Sequence, residues 1–409
     1  MEHDRSLNNI AETYVRLVLR VGQHDPDYVD AYYGPERLSP GAEKENLPAL
    51  QTQALAALAE LKEVKTSPDD EMALLRFLYL QRQLLSVSSR IEMLMGKQMR
   101  FDEESRLLYD AVAPSYPEAH FREVIAHIDS LLPGTGRVAG RYEAFRMGFV
   151  IRKEKLDAVF GAAIDEGRKR TRRHVALPGS ESFRVEYVSD KPWSGYNWYK
   201  GGSHSLIQIN TDLPIFIDRA VDLACHEGYP GHHVYNSLLE EHLVSQRGWV
   251  EFSVYALFSP QSLVAEGTAN YGIEVAFDRA GRVAFEQDVL FPLAGLPPAD
   301  AGRYYALHEL FLQLGYAGNE AARRYLDGAI TREAAVEWLV EYALMSPDRA
   351  LQRTKFFDKY RSYVINYNLG QDIVRRYIET RSGSAYDSRK RWEEFARLLS
   401  SPRLPSGLM

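Results

Sequence analysis

The sequence predicts a mainly helical protein with one small β-sheet near its middle. Three observations carry that expectation. Apolar residues recur at helical spacing through most of the chain, as at Val15, Leu17, Val18 and Val21. Helix-starting signals precede such stretches, as in Ser67-Pro68-Asp69-Asp70, where Ser caps, Pro fits the first turn and the acids face the positive helix end. Between about 182 and 211 the pattern changes to alternation rich in aromatics and glycine.

The elements follow in order. Residues 12–21 read as a helix, after which Pro26-Asp27 and Gly34-Pro35 break the chain around Tyr28, Tyr32 and Tyr33. Residues 47–64 form a second helix, and a third starts at Ser67 and runs through Leu74, Leu78, Leu85 and Ile91 towards Gly96. A helix after Pro117 stops at Pro133-Gly134-Thr135-Gly136. That break divides an N-terminal helical subdomain, 1–136, from a larger subdomain, 137–409. Residues 153–174 are helical, and the run Arg168 to Arg173 reads as a solvated end opposing the negative helix terminus. Residues 183–188 and 205–210 are strands on either side of the aromatic stretch 193–202. Helices return after Pro214, with further starts at Thr331-Arg332-Glu333-Ala334 and Ser346-Pro347-Asp348.

Of the 409 residues, 45% are apolar and 26% charged, which excludes a wholly disordered chain. Lys and Arg total 49 against 56 Asp and Glu, a net charge of −7 that argues against a dedicated nucleic-acid binder. No run approaches the roughly 18–20 apolar residues of a membrane span. The charged opening Met1-Glu2-His3-Asp4-Arg5 lacks a signal-peptide core. The expected compartment is therefore the cytoplasm, with neither membrane nor nucleic acid as partner. The single cysteine, Cys225, excludes an internal disulfide and a Cys-based zinc cluster.

The informative stretch is His226-Glu227-Gly228-Tyr229-Pro230-Gly231-His232-His233. Zinc peptidases carry H-E-x-x-H on one helix, with the His pair one turn apart and the Glu beside the metal. Here the position four after His226 is Pro230, which cannot continue a regular helix. Removing Pro230-Gly231 in thought restores the spacing, so a kink or bulge would return His232 to His226. His233 is the rival second ligand. A third ligand must be His, Asp or Glu, and Glu266 in Glu266-Gly267-Thr268-Ala269-Asn270-Tyr271 opens a helix-like stretch that offers one. Glu274, two turns on, could support it. Zn2+ is the expected metal, and Mn2+ or Co2+ suit the same donors. Cys225 reads as a buried structural thiol.

These residues resemble the bacterial domain family of unknown function number 885, which looks like part of the gluzincin metallopeptidases. Its pattern is H-E-x-x-P-G-H-H, then E-G-x-A-x-Y, then S-Y-x-x-G. Here the third appears as Asn366-Tyr367-Asn368-Leu369-Gly370, with Asn for Ser, and Thr268 stands where the family often has Trp. The resemblance covers roughly residues 183–377. It implies a zincin-like helical metallopeptidase, similar in plan to the carboxypeptidase Taq family. It also implies His226, one following His and Glu266 as ligands, and Glu227 as catalytic acid/base.

On that reading a peptide or small amide is the substrate, and Glu227 moves the proton of the attacking water. An oxyanion donor is needed; Tyr367 is the first candidate, with Tyr271 and His233 behind it. The strand 205–210 could pair with an extended peptide. Asn210 and His204 at its ends, and Arg376 or Arg375 for a terminal carboxylate, complete the substrate-binding candidates. Two other readings are a hydrolase of esters or non-peptide amides, and a metal-containing helical binding protein without turnover.

Overall fold

Apolar stripes and side-chain caps account for the helices that frame the molecule. The structure is a computed structural model that describes residues 2–65, 69–191, 193–383 and 387–409. The first helix, Glu2–Gly22, buries Ile10, Tyr14, Leu17, Val18 and Val21 along one face. Leu47–Lys62 starts where the Asn46 side chain accepts from the Ala49 N–H. Glu71–Leu94 is capped in the same way by Asp70, which accepts from Ala73. The expected cap Ser67 and the expected first-turn Pro68 lie outside the described residues. Helices Glu118–Leu131 and Val138–Met147 flank the Pro-Gly break. Buried apolar residues before and after that break belong to one cluster, extending from Leu7 to Leu408.

Five strands occur among the described residues: β1 (Val29–Tyr32), β2 (Ser182–Val188), β3 (Gly195–Gly201), β4 (His204–Asn210) and β5 (Val254–Ala256). The sheet expected in the middle of the chain has order β2-β4-β3, with β2 parallel and β3 antiparallel to β4. The aromatic stretch between the two expected strands is itself β3. A second, two-stranded sheet was not expected. In it β1 pairs antiparallel with β5, joining the N-terminal part to residues just before Glu266.

Four helical segments surround the candidate ligands. Asp218–Leu223 continues into a wide turn, Ala224–Gly228. His232–Leu239 follows. Pro260–Ala276 carries Glu266, and Ile365–Ser382 carries Tyr367. The last two cross with backbones almost touching. A Cβ on Gly267 would overlap the Gly370 carbonyl, and one on Gly370 would reach the Leu263 carbonyl at 2.6 Å. Glycine is required at both positions by this approach, which explains their place in the two motifs.

Candidate metal centre

The helix entering the site widens at the point where the motif breaks its spacing. The Tyr229 N–H reaches back five residues to the Ala224 carbonyl at 3.0 Å, and the Gly231 N–H six residues to Cys225 at 2.8 Å. Such i→i+5 turns absorb inserted residues and recur at functional sites. A Cβ on Gly231 would overlap the carbonyl oxygens of His226 and Cys225, so only glycine permits the return. The chain re-enters a helix at His232.

This return sets His226 Nε2 and His232 Nε2 3.1 Å apart. Glu266 Oε2 is 3.4 Å from His226 Nε2. His232 Nε2 is 3.9 Å from Glu266 Oε1. One ligand atom from each of the three residues falls within 4.8 Å of the other two. Tetrahedral zinc with bonds of about 2.0–2.1 Å needs ligand separations of about 3.3 Å. Glu266 Oε2 is buried and has no hydrogen-bond partner among the described residues, whereas Oε1 accepts from the Tyr363 hydroxyl at 2.8 Å. His226 Nδ1 lies 2.9 Å from Asn270 Oδ1, and the Asn270 amide in turn donates to the Tyr367 carbonyl at 2.9 Å. This chain orients Asn270 so that its oxygen faces His226. With His226 neutral, as a metal ligand must be, the proton would stay on Nδ1 and leave the Nε2 lone pair to the cluster.

The electrostatics agree with the geometry. Burial works against protonated His226, but the adjacent Glu266 carboxylate and the charge of Glu227 lift it to about 9. Burial and the His226 charge hold His232 down at about 4. Two imidazoles that cannot both be protonated, facing two buried carboxylates, leave negative potential that a divalent cation would neutralise. The donor set thus fits zinc.

Glu227 is 4% exposed and makes no side-chain hydrogen bond among the described residues. Burial, with Glu266 nearby, pushes its carboxyl up to about 7 against the pull of His226 and Arg219. Its backbone carbonyl accepts from Asn197 of β3 at 2.6 Å. A Cβ on Gly195 would meet Glu227 Oε1 at 3.0 Å, so β3 passes against the carboxylate. A carboxyl poised near neutrality and free of a fixed partner suits proton transfer.

Several candidates lie elsewhere. His233 is 1% exposed and is held by Ser205 at 2.9 Å and Glu181 at 3.2 Å, so it is neither a ligand nor an oxyanion donor. Tyr271 faces Phe395 and Arg375 on the far side of its helix. Asn210 fixes the preceding loop by donating to the carbonyls of Lys191 and Trp193 at 2.9 and 3.0 Å. His204 bonds Ser182 at 3.0 Å in an exposed part of the sheet. Arg375 is saturated by Glu274 and Asp372, which also removes Glu274 from the site. Arg376 is exposed on the outer face of its helix. β4 is the central strand, with both edges occupied, so it cannot take up a peptide strand; β3 is an edge strand of the same sheet. Cys225 is fully buried, and burial pushes its thiol up to about 12. Within the basic run, Arg168 and Arg172 face Glu181 at 2.7 and 3.9 Å, while Arg170 pairs with Glu166 at 2.8 Å. Tyr367 remains beside the centre, where burial and the charges of Glu266 and Glu227 raise its hydroxyl pKa.

Sequence reasoning missed Asn270, Tyr363 and Asp30. Asn270 was within reach, because it stands one helical turn after Glu266 inside the quoted motif. Tyr363 is 97 positions from Glu266 and carries no local signal. Asp30, in β1, accepts from the Tyr196 hydroxyl, and burial with the charges of Glu266 and Glu227 lifts it to about 8. A second group, Asp218, Asp222 and His308, also clusters. Its acids are already compensated: Asp222 takes Arg282 at 2.8 Å and Arg219 at 3.4 Å, and Asp218 accepts from Tyr304.

No helix among the described residues is long and apolar enough to cross a membrane. No family model and no curated protein matches the chain. Solved structures do share its fold. One, called a "putative lipoprotein" from Colwellia psychrerythraea, has a TM-score of 0.52 and 16% identity, covering 89% of this chain and 68% of that one. Another, called a "putative lipoprotein of unknown function" from Shewanella oneidensis, has a TM-score of 0.50 and 12% identity, covering 88% and 72%. At such identities the likeness is one of fold alone, so the chain is a mainly helical protein of the same architecture as these two.

Proposed function

We propose that this protein is a zinc-dependent hydrolase of peptide bonds. The observation that carries the reading is the convergence of His226 Nε2, His232 Nε2 and Glu266 Oε2, with the buried Glu227 carboxylate making no hydrogen bond among the described residues. A structural metal site has no use for that free carboxylate. The motif resemblance supports the same class. His226, His232 and Glu266 would hold the metal, leaving one position open. When bound, zinc supplies a Lewis acid that polarises a carbonyl and brings the pKa of water towards neutrality.

The remaining work falls to the chain's own groups. Glu227 accepts the proton of the attacking water and delivers it to the leaving amine. Burial favours the protonated form of this carboxyl, which helps it keep the proton it takes until the amine leaves. Tyr367, which feels the charges of Glu266 and Glu227, would donate its hydroxyl to the developing oxyanion. Tyr363 holds Glu266, and Asn270 holds His226. The edge strand β3, passing against Glu227, offers backbone groups to an extended peptide.

Elemental mass spectrometry of the purified protein tests the reading. About one zinc per chain is expected, and loss of it in His226→Ala. Absence of metal from the wild type, even after zinc is supplied, would overturn the proposal. With metal present, a peptide library read by mass spectrometry identifies the bonds cleaved.

A further inference from the structure

We propose that Glu181 and His233 form a clamp across Pro230-Gly231 that positions His232 as a metal ligand, so that the second histidine of the His-His pair is the handle by which the first is held. The proposal rests on the metal-centre reading and assigns positioning roles to two residues outside the ligand set.

The two ligand imidazoles differ in how they are held. His226 is oriented directly, through Nδ1 and Asn270 at 2.9 Å. A metal-bound histidine normally donates its second N–H in this way. His232 has no such partner: among the described residues its ring is within hydrogen-bond distance of His226 alone, at 3.1 Å. Its backbone is held no more firmly. His232 opens the helix His232–Leu239, and the capping residue is Gly231, which has no side chain to cap with. Pro230, one residue earlier, has no N–H to donate. Gly231 contributes one backbone bond, to the Cys225 carbonyl at 2.8 Å. The chain thus reaches the second ligand through a segment with few bonds of its own.

Glu181 supplies what this segment lacks. Its Oε2 accepts from the Tyr229 hydroxyl at 2.5 Å and from His233 Nε2 at 3.2 Å. Those two residues stand on either side of Pro230-Gly231-His232, so one buried carboxylate oxygen ties the two ends of the return together. Oε1 takes Arg168 at 2.7 Å, which fixes the carboxylate itself. The other ring nitrogen of His233 lies 2.9 Å from Ser205 Oγ. Phe183 packs against both clamped rings, with centroids 5.0 Å from Tyr229 and 5.2 Å from His233. Glu181 immediately precedes β2, Phe183 lies in β2 and Ser205 in β4, so the small sheet grips the ligand turn from outside. With both nitrogens engaged and Phe183 against its ring, His233 is fixed at the second position of the helix. That fixes the direction in which His232, the first, leaves the backbone. A ligand must be held to within about 0.5 Å of its productive geometry, which a loose helix start does not ensure.

The test reads the metal's coordination in the folded protein. Zinc affinity is measured by competition with a chelator, and coordination geometry by the visible absorption of the cobalt-loaded protein, since His and carboxylate donors accept cobalt too. Glu181→Met and His233→Leu remove the clamp and leave every ligand in place. Each should weaken zinc by about 10–100-fold, the usual loss when a group that orients a ligand is removed, and should change the cobalt spectrum. Glu181→Gln keeps an oxygen for Tyr229 and His233 but loses the charge that pairs with Arg168. It should lower the melting temperature yet retain most of the zinc affinity and the wild-type cobalt spectrum. Should Glu181→Met fail to fold, Tyr229→Phe, which deletes one hydroxyl, carries the test by a several-fold loss of zinc affinity. Lower melting temperatures in these variants with zinc affinity and cobalt spectra unchanged would overturn the clamp. So would a loss of zinc as large in Glu181→Gln as in Glu181→Met. A wild-type protein that takes up neither metal would overturn the metal-centre reading and the clamp with it, whereas unchanged variants overturn the clamp alone.

Discussion

At the scale of single residues, the centre separates groups that hold from groups that react. The Glu227 carboxylate makes no hydrogen bond among the described residues, so Glu227→Gln should keep the zinc stoichiometry and lower kcat by about 10²–10⁴, the usual range for a general acid–base group. Retained turnover in a zinc-replete Gln variant would remove the assigned role. Asn270 does the opposite work. It fixes the His226 ring at 2.9 Å, and Asn270→Ala should weaken zinc by about 10–100-fold, as loss of a ligand-orienting hydrogen bond does elsewhere. Competition with a chelator measures that change directly. The difference in legibility between these groups is physical. His226, Glu227 and Glu266 are chemically conspicuous and sit in short motifs. Tyr363 acts on Glu266 only because two distant helices cross, and one tyrosine among 25 announces nothing in a sequence.

Elements succeed or fail here by how closely their backbones approach. The wide turn at Ala224–Gly228 depends on Gly231, and the crossing of Pro260–Ala276 with Ile365–Ser382 depends on Gly267 and Gly370. Gly370→Ala should cost about 1–3 kcal/mol, as overpacking does, and should lower zinc affinity in parallel because it displaces Tyr363 and Tyr367. Gly231→Ala should abolish metal binding while leaving most helical signal by circular dichroism. The spacing argument that skipped Pro230-Gly231 anticipated the turn's outcome, His232 beside His226, but not the i→i+5 hydrogen bonds that produce it. Nor did alternation reveal β3, since Gly195 and Gly201 bracket only five residues and aromatics occupy both faces. The strand β2 brings its own test. Just before it, Glu181 meets His233, Tyr229 and Arg168 at 3.2, 2.5 and 2.7 Å. Burial opposes the charge, but these hydrogen bonds hold the Glu181 carboxyl down at about 2. A carboxyl depressed in the folded state stabilises at pH above its unfolded value and loses that contribution as pH falls towards the folded one. Denaturant titrations between about pH 5 and pH 2 should therefore fall more steeply for the wild type than for Glu181→Gln. Parallel curves would show that Glu181 is not coupled to folding.

Across the whole molecule, the N-terminal helices are built into the site's support, although the sequence marks a break at Pro133-Gly134. Arg76 pairs with Glu251 at 2.6 and 3.1 Å, and the two side chains are 3% and 0% exposed. Tyr79 donates to Gln261 at 2.7 Å and Ser86 to the Phe258 carbonyl at 2.8 Å. β1 pairs with β5. Each contact lands on residues 249–261, which lead into the helix of Glu266. A composition shift or a Pro-Gly break shows where the chain can bend. It does not show which surfaces later meet, because that depends on pairings more than 170 positions apart. The docking predicts coupling between a distant ion pair and the metal. Arg76→Met strands the buried Glu251 carboxylate and should cost about 3–5 kcal/mol. If the N-terminal helices hold the Glu266 helix in register, zinc affinity should fall with stability. The double replacement Arg76→Met with Glu251→Leu removes both charges, so stability should return, and affinity with it. Affinity that stays at the wild-type level in Arg76→Met while the melting temperature drops would mean that the Glu266 helix is positioned by Ile365–Ser382 alone. The N-terminal part would then be a separate stabilising layer rather than part of the frame that aligns the ligands.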